Sequence, residues 1–560
     1  MATQSSPLEA PEIKETTEAV SPAAKQVAPS AAPPDVATSD EEELNPYRWL
    51  ILFGLILAAI LEVLDTTIVN VALPQMAGNL GATSEEIGWV STGYILSNVV
   101  VLPMTAFLSA RFGRRRYLSA SIVIFLVASF FCGTSGTLWE LVAWRILQGA
   151  GGAALLSTAQ STIREIFPRE QQGTVQSIYV LGIIVAPTIG PTLGGYITDN
   201  YSWPWVFFVN LPIGAISLGV VAAFLTDAKY AMKTGKVDWW GVGLLTVGLA
   251  SLQYVLEEGN RDDWFESPTI SRLTVIGLVS IAAFLAWELS PRNNAPIVNL
   301  RVLKNRDLSA ALILFLALGF GLYGGVFIFP LFAQTILGFT PTVTGLVLMP
   351  GAIATGAAAI ICGRILNGPK PLIDPRLMIG FGITIFAYSM WDMGHLTTMS
   401  GEPDTRVALM IRGFGLGCLF TPINLAAFSS LKGAEIPQGA SLLNLMRQLG
   451  GSFGIAYLST IITNNTNSHR TVLIAHLYPG NPAFELQRNA MQGALMSRGY
   501  DAAQAQRGAL SIISSEVQRQ ASVMSFNDAF LFIGVTIVMV APCIFLLRPG
   551  RPPAGADLGH

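Results

Sequence analysis

LEVLDTTIVNVALP, Leu61 to Pro74, lies within the first long apolar run of the chain and carries two acids, Glu62 and Asp65. A carboxylate at the centre of a hydrocarbon layer costs roughly 2.5–3.5 kcal/mol on insertion scales, so one kept there usually has work to do. Glu62 and Asp65 stand three apart, and a helix projects residues at that spacing from one face. Two carboxylates so placed can share and exchange a proton. Asp65 is read as the leading proton-coupling residue, against the alternative that it caps backbone groups near a helix end. For Glu62 the alternative is an acid facing a cavity without coupling.

Working outward, the chain of 560 residues is 51% hydrophobic and only 12% charged, with a mean hydropathy of +0.52. That leaves too little polar surface to coat a soluble globule of this size. The apolar runs are long enough to cross a layer about 30 Å thick as helices of about 20 residues, which excludes a β-barrel. The fold class is therefore an all-α membrane protein. No basic tail or aromatic-basic stripe points to nucleic acid. Cys132, Cys362, Cys418 and Cys543 sit singly in apolar runs without CxxC spacing, so no metal site is expected. The chain also lacks a GxxxxGK[ST] loop, and nothing suggests a nucleotide or any other cofactor.

Apolar length and breaker residues place spans at 48–70, 86–108, 117–136, 139–161, 174–198, 205–226, 239–257, 271–289, 308–335, 342–366, 374–394, 405–428, 438–462 and 525–547. Lys and Arg crowd the even loops and are nearly absent from the short odd ones, which predicts an even span count with both termini cytoplasmic. Residues 1–45 read as a disordered cytoplasmic tail without a cleavable leader, and 549–560 as a second tail. Leu80-Gly81-Ala82-Thr83, followed by Gly88, is echoed by Leu337-Gly338-Phe339-Thr340, followed by Gly345. The echo fits two duplicated six-helix bundles, 46–228 and 301–548, with two inserted transmembrane helices in 229–300.

The fourth span reads LVAWRILQGAGGAA, with Arg145, Gln148 and Gly152 on one stripe. An arginine at membrane depth must be paired or face water, and Asp65 is the natural partner; the alternative is a static structural pair. The fifth span reads GIIVAPTIGPTLGG. Gly182, Ala186, Gly190 and Gly194 form a small-residue ridge for close packing, and Pro187 and Pro191 predict a bend.

These stretches resemble the major facilitator superfamily, in its fourteen-helix drug:proton antiporter group of EmrB/QacA type. LDTTIVNVALP is similar to that group's first-helix signature, with Asp65 on the acidic position. LVAWRILQGAGGAA resembles the fourth-helix motif through Arg145 and Gly149, and GPTLGG, Gly190 to Gly195, the antiporter motif of the fifth helix. WPWVFFVNLPIG and RQLGGSFGIAYLST extend the likeness over nearly all of the chain after the tail. AFLSARFGRRR resembles the superfamily's GxLaDRxGRR loop, with Arg111, Gly113, Arg114 and Arg115 in place. Ala106 and Ala110 stand where that motif has Gly and Asp, so the basic cluster is expected to act as a topology signal and a helix-dipole contact. Pro204 stands between the two Trp where an Arg is often seen.

In the second half, Asn444, Arg447 and Gln448 share one face and Arg412 and Asn424 lie in a neighbouring span, which reads as a cavity wall or an interhelical seam. Trp89, Tyr94 and Tyr323 are candidate pocket aromatics, with packing as the alternative, and Gln148, Asn444 and Gln448 complete the expected cavity set. Between spans 13 and 14, residues 463–524 form an outer segment. Asp501 and Gln504 suit a capping box, and Leu510, Ile513, Val517, Ala521 and Met524 then recur on one helical face.

The resemblance implies alternating access driven by the proton gradient, with lipophilic compounds exported from a mid-membrane cavity in a bacterial inner membrane. It also implies a periplasmic adaptor protein and an outer-membrane channel as partners at the outer segment. A symporter or facilitator for a small metabolite is the rival on the same fold. A membrane enzyme or sensor lacks any catalytic constellation in the sequence, so no enzyme is expected.

Overall fold

The computed structural model describes residues 45–83, 86–168, 171–227, 237–291, 293, 296–366, 373–433, 435–478 and 480–548. Apart from Asn45, the expectations for the two tails fall outside these residues. A helix stands at each expected span. In chain order they are α1 (Arg48–Leu80), α2 (Trp89–Val101) continued by a tight turn at 102–104 into α3 (Thr105–Phe112), α4 (Arg114–Thr134), α5 (Leu138–Ile166) and α6 (Gln172–Asn200). The short α7 (Trp205–Phe208) leads into α8 (Asn210–Phe224), and α9 (Trp239–Glu258) and α10 (Pro268–Leu289) follow. Then come α11 (Arg306–Thr335), α12 (Pro341–Leu366), α13 (Pro375–Met393), α14 (Glu402–Ser429), α15 (Glu435–Ala475), α16 (Pro482–Met496) and α17 (Ala502–Met539). Among the described residues, 10 helical segments are long and apolar enough to cross a membrane.

In the first bundle α1 packs on α5, α6 and α8, while α5 packs on α2 and α4. The second bundle repeats that plan: α11 packs on α14, α15 and α17, and α14 on α12 and α13. The sequence echo marks equivalent turns. Gly81, after α1, has φ 64°, and Gly338, after α11, has φ 70°. Both are left-handed positions that suit glycine, and the Gly81 amide closes α1 by bonding to the Ala77 carbonyl.

The bundles meet chiefly along α6 and α12, with α5 also touching α15. The inserted α9 and α10 pair with each other, and α9 touches α2 of the first bundle and α15 of the second. On α10, Val275, Leu278 and Val279 are exposed, as a lipid-facing helix requires.

The fifth span is helical without a break from Gln172 to Asn200 and contains Pro191. The side chain of Pro187 lies outside the described residues. The outer segment is also more helical than a loop carrying one amphipathic helix. α15 runs for 41 residues, α16 follows, and α17 continues from the outer segment into the last span. Asp501 caps α17 by accepting from the Gln504 amide at 2.7 Å, as expected. The buried face, however, is Ala505, Ala509, Ile513 and Ala521, whereas Leu510 and Met524 are exposed. Small alanines face inward there because α16 and α15 lie against α17.

Candidate functional site

Asp65 is fully buried and is bonded by three polar side chains from two other helices. Arg145 Nη1 reaches Asp65 Oδ2 at 2.5 Å. Gln148 and Asn210 donate their side-chain amides to Asp65 Oδ1 at 3.0 and 2.9 Å. Arg145 is tied further, giving one hydrogen bond to Gln148 Oε1 at 2.7 Å and another to the Val90 carbonyl at 3.0 Å. Its guanidinium carbon lies 4.3 Å from the centre of the Tyr94 ring and 5.7 Å from that of Phe207. Such a pair resists separation, because removing one member strands the other charge in a poorly solvated interior. The cluster holds α1, α5 and α8 together and brings in the α2 backbone through Val90.

Glu62, one turn earlier and also buried, is held differently. Its carboxylate accepts from the Asn98 amide at 3.4 Å and the Leu156 backbone N–H at 3.3 Å. Both bonds are long and both donors are neutral, so this carboxylate is far less secured than its neighbour. The first helix therefore carries two acids of unlike standing: one locked to arginine, one loosely held.

Tyr94 is fully buried beside this cluster, and its hydroxyl makes no hydrogen bond among the described residues. Gly149 and Gly152 on α5 make room for it: a Cβ on Gly152 would stand 2.7 Å from the Tyr94 oxygen. Across the interface, Arg447 on α15 donates to the Tyr323 hydroxyl and lies 3.5 Å from Asn444 Oδ1. Gln448 is half-buried beside them. Trp89 stands elsewhere, packed against Trp139 and Tyr254 with ring centres 6.4 and 5.7 Å away.

Asn444 takes part in a polar seam between the bundles. Gln160 on α5 donates to Asn424 on α14 and accepts from Asn444 at 2.9 Å, while Arg164 donates to the Asn424 carbonyl at 3.2 Å. This seam lies toward the end of the bundle where α1 starts, since Phe167, just past the end of α5, packs on Trp49. Ser177 on α6 adds a bond to the Ala359 carbonyl of α12 at 2.6 Å.

The glycine ridge of α6 faces α1 immediately beside Asp65. A Cβ on Gly194 would meet the Ile68 carbonyl at 2.8 Å, and one on Gly190 would overlap Thr67. Gly182 faces Ile56 in the same way, while Pro191 is half-buried. Gly195 departs from the pattern, with nothing closer than Val71 at 4.0 Å.

The loop between α3 and α4 makes ionic contacts beyond those expected of it. Arg114 is buried, pairs with Glu165 of α5 and donates to the Thr226 carbonyl at 2.9 Å. Asp227 accepts from the Arg115 amide at 2.9 Å, covering the start of α4, and Gly113 at φ 86° leaves room for that carboxylate. Acids from other segments thus meet Arg114 and the start of α4, and the basic cluster is a built ionic junction. Arg111 is exposed. Pro204 begins the short α7.

Sequence reasoning missed Asn210, Asn98, Gln160, Glu165 and Asp227. The one available signal was an uncharged amide inside an apolar run, as at Asn210 in FFVNLPIG.

Comparison with known proteins gives this arrangement a family. The Major Facilitator Superfamily profile matches residues 55–455. The fatty acid resistance protein FarB of Neisseria gonorrhoeae is 32% identical over 91% of this chain and 98% of its own. The multidrug export protein EmrB of Escherichia coli is 31% identical over 91% of this chain and 96% of its own. Among solved structures, the human organic anion transporter MFSD10 shares the fold at a TM-score of 0.55 and 12% identity, over 88% of this chain and all of that one. With two helical bundles, a buried acid–arginine pair and relatives matched nearly end to end, the chain belongs to the major facilitator superfamily and to its EmrB-like members.

Proposed function

We propose that the protein is a proton-coupled efflux transporter that exports lipophilic compounds by alternating access, crossing the membrane fourteen times with both termini in the cytoplasm. The names of its relatives, multidrug export and fatty acid resistance, support export of small lipophilic solutes. The observation that carries the coupling is the unequal pair on α1. Asp65 is paired directly with Arg145, whereas Glu62 accepts two long hydrogen bonds from neutral donors and meets the Arg447 charge only through space. The loosely held acid is the better proton carrier, and the locked one fixes α1 against α5 so that loading Glu62 is felt by the bundle.

In the state seen here the bundles are fastened through Gln160, Asn424 and Asn444. On this reading that seam is the cytoplasmic gate, and proton binding on the far side favours its release. The helical extension formed by α15, α16 and α17 stands at the opposite end and suits an adaptor protein there.

Reconstitution in vesicles with an imposed proton gradient tests the reading, comparing wild type with Glu62→Gln and Asp65→Asn. Gradient-driven export is expected to vanish in Glu62→Gln while substrate counterflow without a gradient survives. Full coupling in the folded Glu62→Gln protein overturns the carrier assignment, and export indifferent to collapse of the gradient overturns antiport.

A further inference from the structure

α9 lies over the seam between the two bundles and is fastened to both. On one side Thr92 of α2 donates to Glu258 at 3.5 Å, and Trp89 packs on Tyr254. On the other, Gln253 donates to Ser452 at 2.8 Å, and Asn260 bonds to Ser459 and Thr460 at 3.2 and 3.0 Å. Between α9 and α15 these bonds frame a cavity of about 130 Å3, partly open to the outside. That suits a polar head group and is smaller than the roughly 300–1,000 Å3 of sites that enclose a whole drug-sized ligand.

The lining is two-sided in chemistry. Leu256 and Ile455 form an apolar wall, while Glu257, Asn260, Ser452 and Ser459 form a polar one. Arg261 also lines the cavity, held to Glu258 at 2.8 Å. Glu257 is half-buried and accepts from the Gln253 amide at 2.9 Å. Gln253 is itself fully buried outside this lining, its nitrogen bridging Glu257 and Ser452. A partly buried carboxylate beside an apolar wall calls for a positively charged donor. The position along the membrane fits as well, because Trp264 bonds to Thr460 just beyond the cavity and Phe265 is exposed, as aromatics at a membrane surface are.

We propose that this cavity binds the primary ammonium head of an amphiphile reaching it from the side of the protein, with Glu257 as the counter-charge and the Ser452 and Ser459 hydroxyls as further acceptors. A primary ammonium carries the N–H donors that these groups accept; a quaternary ammonium carries none. The alkyl part lies along Leu256 and Ile455. The head belongs either to an aminophospholipid or to a free amphiphilic amine, and the inference involves no transport step.

Native mass spectrometry of the detergent-purified full chain tests it, with phosphatidylethanolamine and dodecylamine added in turn. At least one should form a saturable adduct, and which one does so identifies the source. Glu257→Gln is expected to weaken that adduct by about tenfold or more, as loss of a partly buried charge pair does, and Glu257→Asp by less. Ser452→Phe, which fills the cavity without removing a charge, should abolish it. No saturable adduct from either probe, equal adducts in wild type and Glu257→Gln, or equal binding of dodecyltrimethylammonium overturns the proposal. Vesicle export of an uncharged compound, read on the same variants, reports on the transport reading separately.

Discussion

Leu322 occupies in the second bundle the place that Asp65 holds in the first: Leu322 precedes Gly338 by the same interval as Asp65 precedes Gly81. Arg412 on α14 donates to the Leu322 carbonyl at 3.1 Å, much as Arg145 donates to the Asp65 carboxylate. The two bundles thus keep a buried arginine against their first helix, but only one supplies an acid. Arg412 is buried, its Nε has no partner among the described residues, and Gly325 makes room for its guanidinium.

Leu322→Asp should therefore be tolerated, since it gives Arg412 the counter-charge that its twin already has. Folded yield by size-exclusion chromatography is expected within about threefold of wild type, because the new pair offsets the cost of burying the acid. Leu314→Asp, on the same helix among buried apolar side chains, is the control and should fail to accumulate.

Breaking the first-bundle pair should cost more than dissolving it. Asp65→Asn and Arg145→Gln are each expected to lower unfolding stability by about 3–5 kcal/mol, because each strands a buried charge. The double variant should recover a substantial part of that loss. Thermal unfolding of the four proteins gives the coupling energy directly, and additive losses would show that the pair is not the unit that the geometry describes.

Gln160→Ala removes two side-chain bonds between the bundles and no charge. At about 0.5–1.5 kcal/mol each, their loss should shift the balance of open and closed forms at this end by roughly tenfold. Spin labels on the ends of α5 and α14 would report the change as a longer-distance population. An unchanged distance distribution would mean that the seam does not hold the bundles together.

Gly194→Ala and Gly195→Ala should differ although the residues are adjacent. The first forces a methyl against the Ile68 carbonyl and is expected to cost about 1–3 kcal/mol and slow transport. The second meets only Val71 at ordinary contact distance and should be nearly silent in both assays.

Charge in an apolar setting was the most legible feature of the chain. Asp65 and Arg145 stand out because each is costly alone, and pairing is the cheapest resolution. Neutral amides give no such warning. Asn210 and Gln160 are tolerated in a span without a partner, and their partners lie far away in sequence, so only the fold reveals them. The same reasoning explains Glu165 and Asp227, which look like ordinary loop-end acids until α5 and the segment after α8 bring them to Arg114 and Arg115. Span positions were legible from apolar length, but helix ends were not. α15 continues through ITNNTNSHRTVLIA, a polar stretch that hydropathy reads as the end of a span and that hydrogen bonds such as Asn465 to Asp528, at 2.8 Å, hold against α17.

That continuation makes α15 a lever. At about 1.5 Å per residue its 41 residues extend roughly 60 Å, about twice the thickness of the hydrocarbon layer. A rotation of about 15°, typical of rigid-body transitions, would sweep a tip roughly 30 Å from the pivot through about 8 Å. Asn444, which bonds to Gln160 of the first bundle, lies near its other end. Release of one glutamine at one face would thus be displayed as a displacement of whole side-chain length at the other.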